Sequence, residues 1–167
     1  IFGQSKIEKE NVIKSIAEII KLFDVVAIQE IRDKEETAVF ILMEEINKEE
    51  EKFSLVVGPR LGRTNSKEQY AFIYRDDKLK YDYFPITWND EEDDIFEREP
   101  FIANFYTTEG NFDFVLVNIH TKPDDAEREI AALPRVIEFA KEYYGEKDVI
   151  CLGDFNADGS YFNEENY

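Results

Sequence analysis

Three short apolar segments, each followed at once by polar residues, place the tightest limit on how this chain can fold. They span residues 25–28, 114–119 and 149–152. Runs as short and as apolar as these predict strands that are covered on both faces, not strands with one face in water. Because covered strands need other elements packed against them, the segments predict a mixed α/β fold with helices over the sheet.

Helical periodicity elsewhere supplies that cover. Apolar residues recur at helical spacing in residues 6–23, and further helices are predicted over residues 36–48 and 124–144. Pro134 inside the last helix predicts a kink or a split, and Gly145 predicts its end. The charged run 44–52 is predicted to be a solvated helix face. Other strands are predicted at residues 54–57, 70–74, 79–84 and 101–106, and the second apolar segment extends back to residue 112.

The acidic composition limits the kind of function. The 167 residues, enough for one domain, include 20 basic and 38 acidic side chains, for a formal net charge of −18. Proteins that coat nucleic acid bind its phosphates through Lys and Arg, so this charge argues against a DNA-coating protein. An enzyme is less restricted, because it needs only a local cationic site and can use the positive charge of bound divalent metals.

Cysteine and histidine occur once each. Cys151 has no partner for an intramolecular disulfide, and its apolar neighbours predict a small buried core residue instead of a reactive thiol. His120 alone cannot build a zinc site made of several histidines. No apolar run reaches the roughly 18 residues that a membrane span requires, so none is predicted.

Polar residues at the ends of the three apolar segments are candidates for chemistry. Glu30 follows the first segment, His120 the second, and Asp154 with Asn156 the third. Strand ends at one edge of an α/β sheet are where sites are usually assembled. Each feature also has an ordinary structural interpretation. Glu30 would form a surface ion pair with Arg32, His120 would be a structural histidine, and the third group would be a tight turn.

The order of these segments along the chain resembles the deoxyribonuclease I family, part of the endonuclease/exonuclease/phosphatase superfamily. The resemblance extends from Phe2 to Tyr161. It rests on Gln29-Glu30, Leu61-Gly62-Arg63, Arg98-Glu99-Pro100, Asn118-Ile119-His120 and Gly153-Asp154-Phe155-Asn156. It implies a four-layer α/β/β/α sandwich, of which this chain supplies the N-terminal half and more. Residues 1–167 are then expected to be a single domain that is incomplete at both ends.

The resemblance also implies roles for the site residues. Glu30 would bind a catalytic Mg²⁺ or Mn²⁺ together with Asp154 and Asn156. His120 would transfer a proton and Glu68 would orient it. Asp154 and Asn156 would also organise the scissile phosphate and the attacking water. These roles are chemically coherent, since hydrolysis of a phosphodiester needs a positioned water, charge stabilisation and a proton for the leaving oxygen.

Two further sets of contacts follow from the resemblance. Arg32 and Arg98 match arginines that contact DNA. Asp94, the carbonyl of Phe96, and Glu99 resemble a structural Ca²⁺ site, with an ordinary solvated acidic loop as the alternative. The implied function is a metal-dependent endonuclease that cleaves DNA with little sequence specificity. The alternatives are another phosphoesterase acting on abasic DNA, a phosphoinositide or a phospholipid, and an inactive binding module.

The chain also departs from the family pattern. Ser66 stands where the family usually has a tyrosine that stacks on DNA, which puts sequence preference in question. Gly159 stands where a cysteine is often found, and a microbial source with a secreted or cell-surface setting is expected. The family also carries an upstream Asn, a downstream Asp and a Ser-Asp-His segment, which we expect outside these residues. DNA is the expected partner, and no protein partner is predicted.

Overall fold

The computed structural model describes residues 2–50 and 52–162, which form four α-helices and seven strands. The helices are α1 (Gln4–Ile7), α2 (Glu10–Ile20), α3 (Ala38–Ile46) and α4 (Ala126–Tyr144). The strands are β1 (Val25–Ile31), β2 (Phe53–Val57), β3 (Gln69–Arg75), β4 (Leu79–Thr87), β5 (Phe101–Thr107), β6 (Asp113–His120) and β7 (Val149–Asp154). Short 3₁₀ turns occupy Lys48–Glu50, Pro123–Asp125 and Gly159–Tyr161.

The strands form two sheets. One has the order β1-β3-β2 and is antiparallel, and the other has the order β4-β5-β6-β7. In the second sheet only β6 and β7 are parallel, and the connection between them contains α4. A crossover helix is the usual way to join parallel neighbours. Because β6 and β7 run in the same direction, their last residues, His120 and Asp154, lie at the same edge of the sheet.

Apolar clusters between the elements hold them in layers. Phe72 and Tyr74 of one sheet pack against Phe105 and Leu116 of the other. The helices α2 and α3 cover the outer face of the three-stranded sheet, and α4 covers the outer face of the four-stranded sheet. The layers therefore follow the order helix, sheet, sheet, helix, which is that of the predicted α/β/β/α sandwich. Within the described ranges, no helix has the length and apolar character needed to cross a membrane.

Two helix predictions differ from the structure. The first predicted helix is divided at Lys9, which is extended (φ −106°, ψ 91°) between α1 and α2. Of the kink or split predicted at Pro134, the split is wrong, because α4 continues through this residue. Pro134 is exposed. Its ring therefore points to solvent, and water can satisfy the carbonyl oxygen that lacks a helix partner.

Asp33 is a buried carboxylate that fixes the loop before α3. Its Oδ2 accepts hydrogen bonds from the backbone N–H of Thr37 and Ala38, both at 2.7 Å, and its Oδ1 accepts one from Gln4 Nε2 at 2.9 Å. Burial alone raises the pKa of Asp33, but the hydrogen bonds from Gln4 and the backbone outweigh it and lower the pKa to about 2.

We expect this carboxylate to make folding stability depend on pH. A carboxyl group with a lowered pKa stabilises the fold above its unfolded value near 4 and loses that contribution as the pH falls toward 2. The contribution is about 2 kcal/mol. Urea unfolding should therefore show Asp33→Asn destabilised at pH 6 and close to wild type near pH 2. An equal difference between the two proteins at both pH values would contradict this.

Candidate active site

Four predicted site residues meet at one edge of the sandwich. Glu30 lies near the end of β1, Glu68 directly precedes β3, His120 ends β6 and Asp154 ends β7. One potential ligand atom from each of Glu30, His120 and Asp154 lies within 4.8 Å of the others. Residues far apart in sequence, and drawn from both sheets, are therefore brought to a single point.

Glu30 occupies a local irregularity of β1. The pairing of β1 with β3 shifts register between Ile28 and Ile31, so Gln29 and Glu30 form a bulge. Glu30 has φ 56°, in the left-handed region that a non-glycine residue rarely adopts. Bulges redirect side chains and are frequent beside active sites. The bulge therefore accounts for how a carboxylate in a paired strand comes to lie beside His120 and Asp154.

Glu68 and His120 form a buried hydrogen-bonded pair. His120 Nδ1 lies 2.8 Å from Glu68 Oε2, and the Glu68 side chain is 1% exposed. Arg32 Nε donates to the other oxygen, Oε1, at 2.9 Å. Burial raises the pKa of Glu68, but the hydrogen bonds from His120 and Arg32 and the charge of Arg98 together lower it to about 2. An ionised Glu68 holds the proton on Nδ1, which leaves Nε2 as the nitrogen that can exchange a proton with a substrate.

Arg98 does not occupy the exposed position expected of a DNA contact. Its side chain is 8% exposed, and its guanidinium donates to the carbonyl oxygens of His120 (2.9 Å) and Thr121 (3.1 Å). It also lies 3.4 Å from Glu68 Oε1. Contact of Arg98 with DNA stays a prediction, and the burial of its side chain counts against it. The Arg32 side chain is 33% exposed, and its guanidinium is bonded to Glu68 Oε1.

The end of β7 depends on a glycine. Asp154 pairs with His120 in the parallel register, and a Cβ at Gly153 would lie 1.8 Å from the carbonyl oxygen of Ile119. No other residue allows the two strands to approach so closely. Beyond the strand, Asn156 has φ 45°, and its backbone N–H donates to Asp154 Oδ1 at 3.1 Å.

The Asn156 side chain is tied to the end of β6. Its Nδ2 donates to the Thr121 carbonyl at 2.8 Å, while the Thr121 hydroxyl donates to the Phe155 carbonyl at 2.6 Å. These bonds lock the loop after β7 against the residue that follows His120. The predicted pair of Asp154 and Asn156 is thus held beside the end of β6, and the tight turn that was its structural alternative does not form at Gly153 and Asp154, which belong to β7.

The donor set fits a hard divalent cation. Two carboxylates, from Glu30 and Asp154, share the group with one imidazole. Mg²⁺ and Mn²⁺ prefer oxygen ligands and are commonly held by one or two carboxylates plus waters and substrate phosphate. His120 Nδ1 is already hydrogen-bonded to Glu68, so the two carboxylates are the groups best suited to hold the ion.

The predicted calcium ligands lie in a loop with other contacts. The Asp94 carboxylate forms an ion pair with Arg63, whose guanidinium also donates to the Asp94 carbonyl. The loop is shaped by Asp90, whose Oδ2 accepts from the N–H of Ile95 (2.5 Å) and Phe96 (2.7 Å). Glu99, the other predicted carboxylate, is partly buried. The calcium site stays a prediction, and the guanidinium at Asp94 counts against it.

The sequence reasoning missed several residues that support the site. The Tyr70 hydroxyl accepts a hydrogen bond from the backbone N–H of His120 at 2.9 Å, and Gln29 and Asn118 are linked by their side-chain amides. A tyrosine in a predicted buried strand could have signalled such a role, because a buried hydroxyl needs a partner. Cys151 is partly buried in the α4 core, where burial raises its pKa to about 11, as expected of an unreactive thiol.

Comparisons with known proteins agree with this architecture. The profile of the endonuclease/exonuclease/phosphatase family matches residues 4–165. Human deoxyribonuclease gamma is 36% identical over 166 residues, covering 96% of this chain and 54% of that protein. Human deoxyribonuclease-1 is 36% identical over 167 residues, covering 96% of this chain and 58% of that protein. The chain thus spans a little over half the length of these curated relatives.

A solved structure shows the same fold at low identity. A mannosyl-6-phosphatase from Bacteroides thetaiotaomicron VPI-5482 superposes with a TM-score of 0.62 at 18% identity, over 89% of this chain and 57% of that one. The profile match over nearly all residues and the similarity to two deoxyribonucleases agree with the strand-end motifs. This chain therefore belongs to the endonuclease/exonuclease/phosphatase family, and it is similar to the deoxyribonucleases named above.

Proposed function

We propose that the protein containing this chain is a divalent-metal-dependent endonuclease that hydrolyses phosphodiester bonds in DNA with little sequence specificity. The observation that best supports this proposal is the buried pair of Glu68 and His120 beside the carboxylates of Glu30 and Asp154. Relatives named deoxyribonuclease, 36% identical over almost the whole chain, support DNA as the substrate.

In this proposal His120 transfers a proton, and Glu68 fixes the tautomer of the His120 imidazole. Attack of water on phosphorus forms one P–O bond and breaks the bond to the leaving sugar oxygen, so one proton must leave the water and one must reach that oxygen. His120 Nε2 transfers a proton in this exchange, while Glu68 holds Nδ1–H. Because the pKa of Glu68 is about 2, its carboxylate stays ionised through the neutral range.

The two carboxylates are proposed to hold the metal. When bound by Glu30 and Asp154, a divalent cation stabilises the negative charge that develops on the phosphate oxygens. Asn156, fixed beside Asp154 by its backbone and side-chain hydrogen bonds, is proposed to help organise the scissile phosphate and the water.

The positive charge proposed to contact the substrate is confined to the site. Arg32 is the proposed contact to a DNA phosphate, since a third of its side chain is exposed. With a net charge of −18, the rest of this chain repels a polyphosphate. The metal and Arg32 therefore have to offset that repulsion at the point of cleavage.

Conversion of supercoiled plasmid by the full-length protein tests the proposal. We expect nicked circles to appear before linear fragments, in Mg²⁺ or Mn²⁺, and EDTA to abolish the reaction. Plasmids of unrelated sequence should be nicked at similar rates. Nicking that survives EDTA would contradict the metal dependence.

A substrate panel separates this proposal from the other phosphoesterases of the family. An abasic oligonucleotide, an inositol phosphate and a phospholipid head group should be turned over poorly relative to plasmid. Turnover of one of them without plasmid nicking would replace DNA as the substrate. No turnover of any substrate, by a folded full-length protein, would favour a binding module.

A further inference from the structure

The proposed site is divided between the two sheets. Glu30 belongs to the three-stranded sheet and Glu68 immediately precedes its central strand, whereas His120 and Asp154 belong to the four-stranded sheet. The two sheets meet through an apolar core. Apolar packing has little directional preference, so by itself it fixes the relative position of two sheets less sharply than a hydrogen bond does.

A polar link crosses this apolar interface. Asn118 lies on β6 with 0% exposure, and its Oδ1 accepts a hydrogen bond from Gln29 Nε2 at 2.6 Å. Its Nδ2 lies 3.2 Å from the carbonyl oxygen of Ile28 and 3.4 Å from that of Ala71. One buried side chain on the four-stranded sheet is therefore tied to both β1 and β3 of the other sheet.

The two ends of the link lie next to the site. Gln29 immediately precedes Glu30, and Asn118 lies two residues before His120, on the same face of β6. Gln29 is also part of the bulge that places Glu30 in a left-handed conformation. Such a conformation persists only where the surroundings enforce it. A side-chain bond from Gln29 to a fully buried partner provides that enforcement.

We propose that Gln29 and Asn118 are positioning residues that set the separation of Glu30 from His120 by locking the two sheets together at the site. The inference rests on the proposed function, because the separation of Glu30 from His120 affects catalysis only if both residues take part in it. The link acts by holding the bulge of β1 against the end of β6.

Three variants of the full-length protein separate positioning from stability. Gln29→Met removes the donor at similar volume and leaves Asn118 Oδ1 buried without its partner. The double variant Gln29→Met, Asn118→Leu removes both amides, so Asn118 Oδ1 is no longer left buried without a partner, and part of the lost stability should recover although the carbonyls of Ile28 and Ala71 lose the Nδ2 donor. Asn47→Ala is the matched control, because Asn47 makes two hydrogen bonds to Phe53 that join α3 to β2, away from the site.

We expect both link variants to lower kcat for plasmid nicking on the order of 10²-fold, the scale of a misplacement of about 1 Å, with KM for DNA little changed. The double variant should regain thermal stability without regaining kcat. Asn47→Ala should lose stability while keeping kcat. If kcat instead follows stability across the three variants, the link is only structural and the proposal is overturned.

A measurement without turnover keeps this test independent of the nuclease proposal. Mn²⁺ bound beside His120 should broaden its imidazole NMR signal, which a spectrum of His120→Asn identifies. In Gln29→Met we expect about tenfold more Mn²⁺ to be needed for equal broadening. Equal Mn²⁺ dependence in wild type and variant would overturn the positioning role. Mn²⁺ binding by a wild type that never cuts DNA would contradict the nuclease proposal alone.

Discussion

Replacing His120 with alanine should lower the rate of plasmid nicking at least ~10²-fold, the usual scale for loss of a proton-transfer group. The fold should survive, because Glu68 keeps its bonds to Arg32 and Arg98 and no buried carboxylate is left unpaired. The measurement is the initial rate of conversion of supercoiled to nicked circles, alongside thermal unfolding of the same preparations.

The variant His120→Asn is the control for this prediction. An asparagine amide can replace the Nδ1–H that Glu68 accepts, but it cannot transfer a proton near neutral pH. Both variants should therefore be similarly slow. A fast His120→Asn protein would show that the imidazole serves only to satisfy Glu68, which would contradict the proton-transfer role.

Replacing Glu30 with glutamine should also slow nicking at least ~10²-fold and raise the Mg²⁺ concentration needed for half-maximal rate. The reason is that glutamine keeps the size of the side chain but removes one of the two carboxylate charges grouped with His120. Even residues one step removed from a metal affect its affinity by about 10- to 100-fold, so a direct ligand should matter at least as much.

The matched control is Glu36→Gln. Glu36 has the same φ of 56° as Glu30 but is exposed and accepts a hydrogen bond from Gln69 at 3.3 Å. Its replacement should leave both the rate and the Mg²⁺ dependence close to wild type. Equal losses in the two variants would mean that lowering the acidity of this region, and not removal of a ligand, slows the enzyme.

The sequence predicted the layers and the members of the site better than their local geometry. Apolar strands that end in Glu30, His120 and Asp154 indicated a shared edge, and the structure groups these three residues. The bulge at Glu30 could not be predicted, because it depends on how β1 pairs with β3. The burial of Arg98 was missed for a similar reason: its carbonyl partners come from the end of β6.

Sequence signals also failed to predict local structure where tertiary packing determines it. Pro134 is tolerated inside α4 because it lies on the exposed side, which the sequence does not show directly. Lys9 interrupts a continuous helical pattern without any glycine or proline nearby to mark the break. In both places the packing of helices against the sheets, and not the propensity of one residue, determines the outcome.

The division of the proposed site between two sheets also determines when, during synthesis, its four residues can come together. A growing chain acquires Glu30 and Glu68 with its first sheet, well before His120 exists. Asp154 arrives still later, because β7 reaches its place beside β6 only after the α4 crossover has been made. Domains fold as their segments emerge. A ribosome-bound or truncated fragment that ends before β6 would therefore carry only the half of the proposed site that the first sheet supplies.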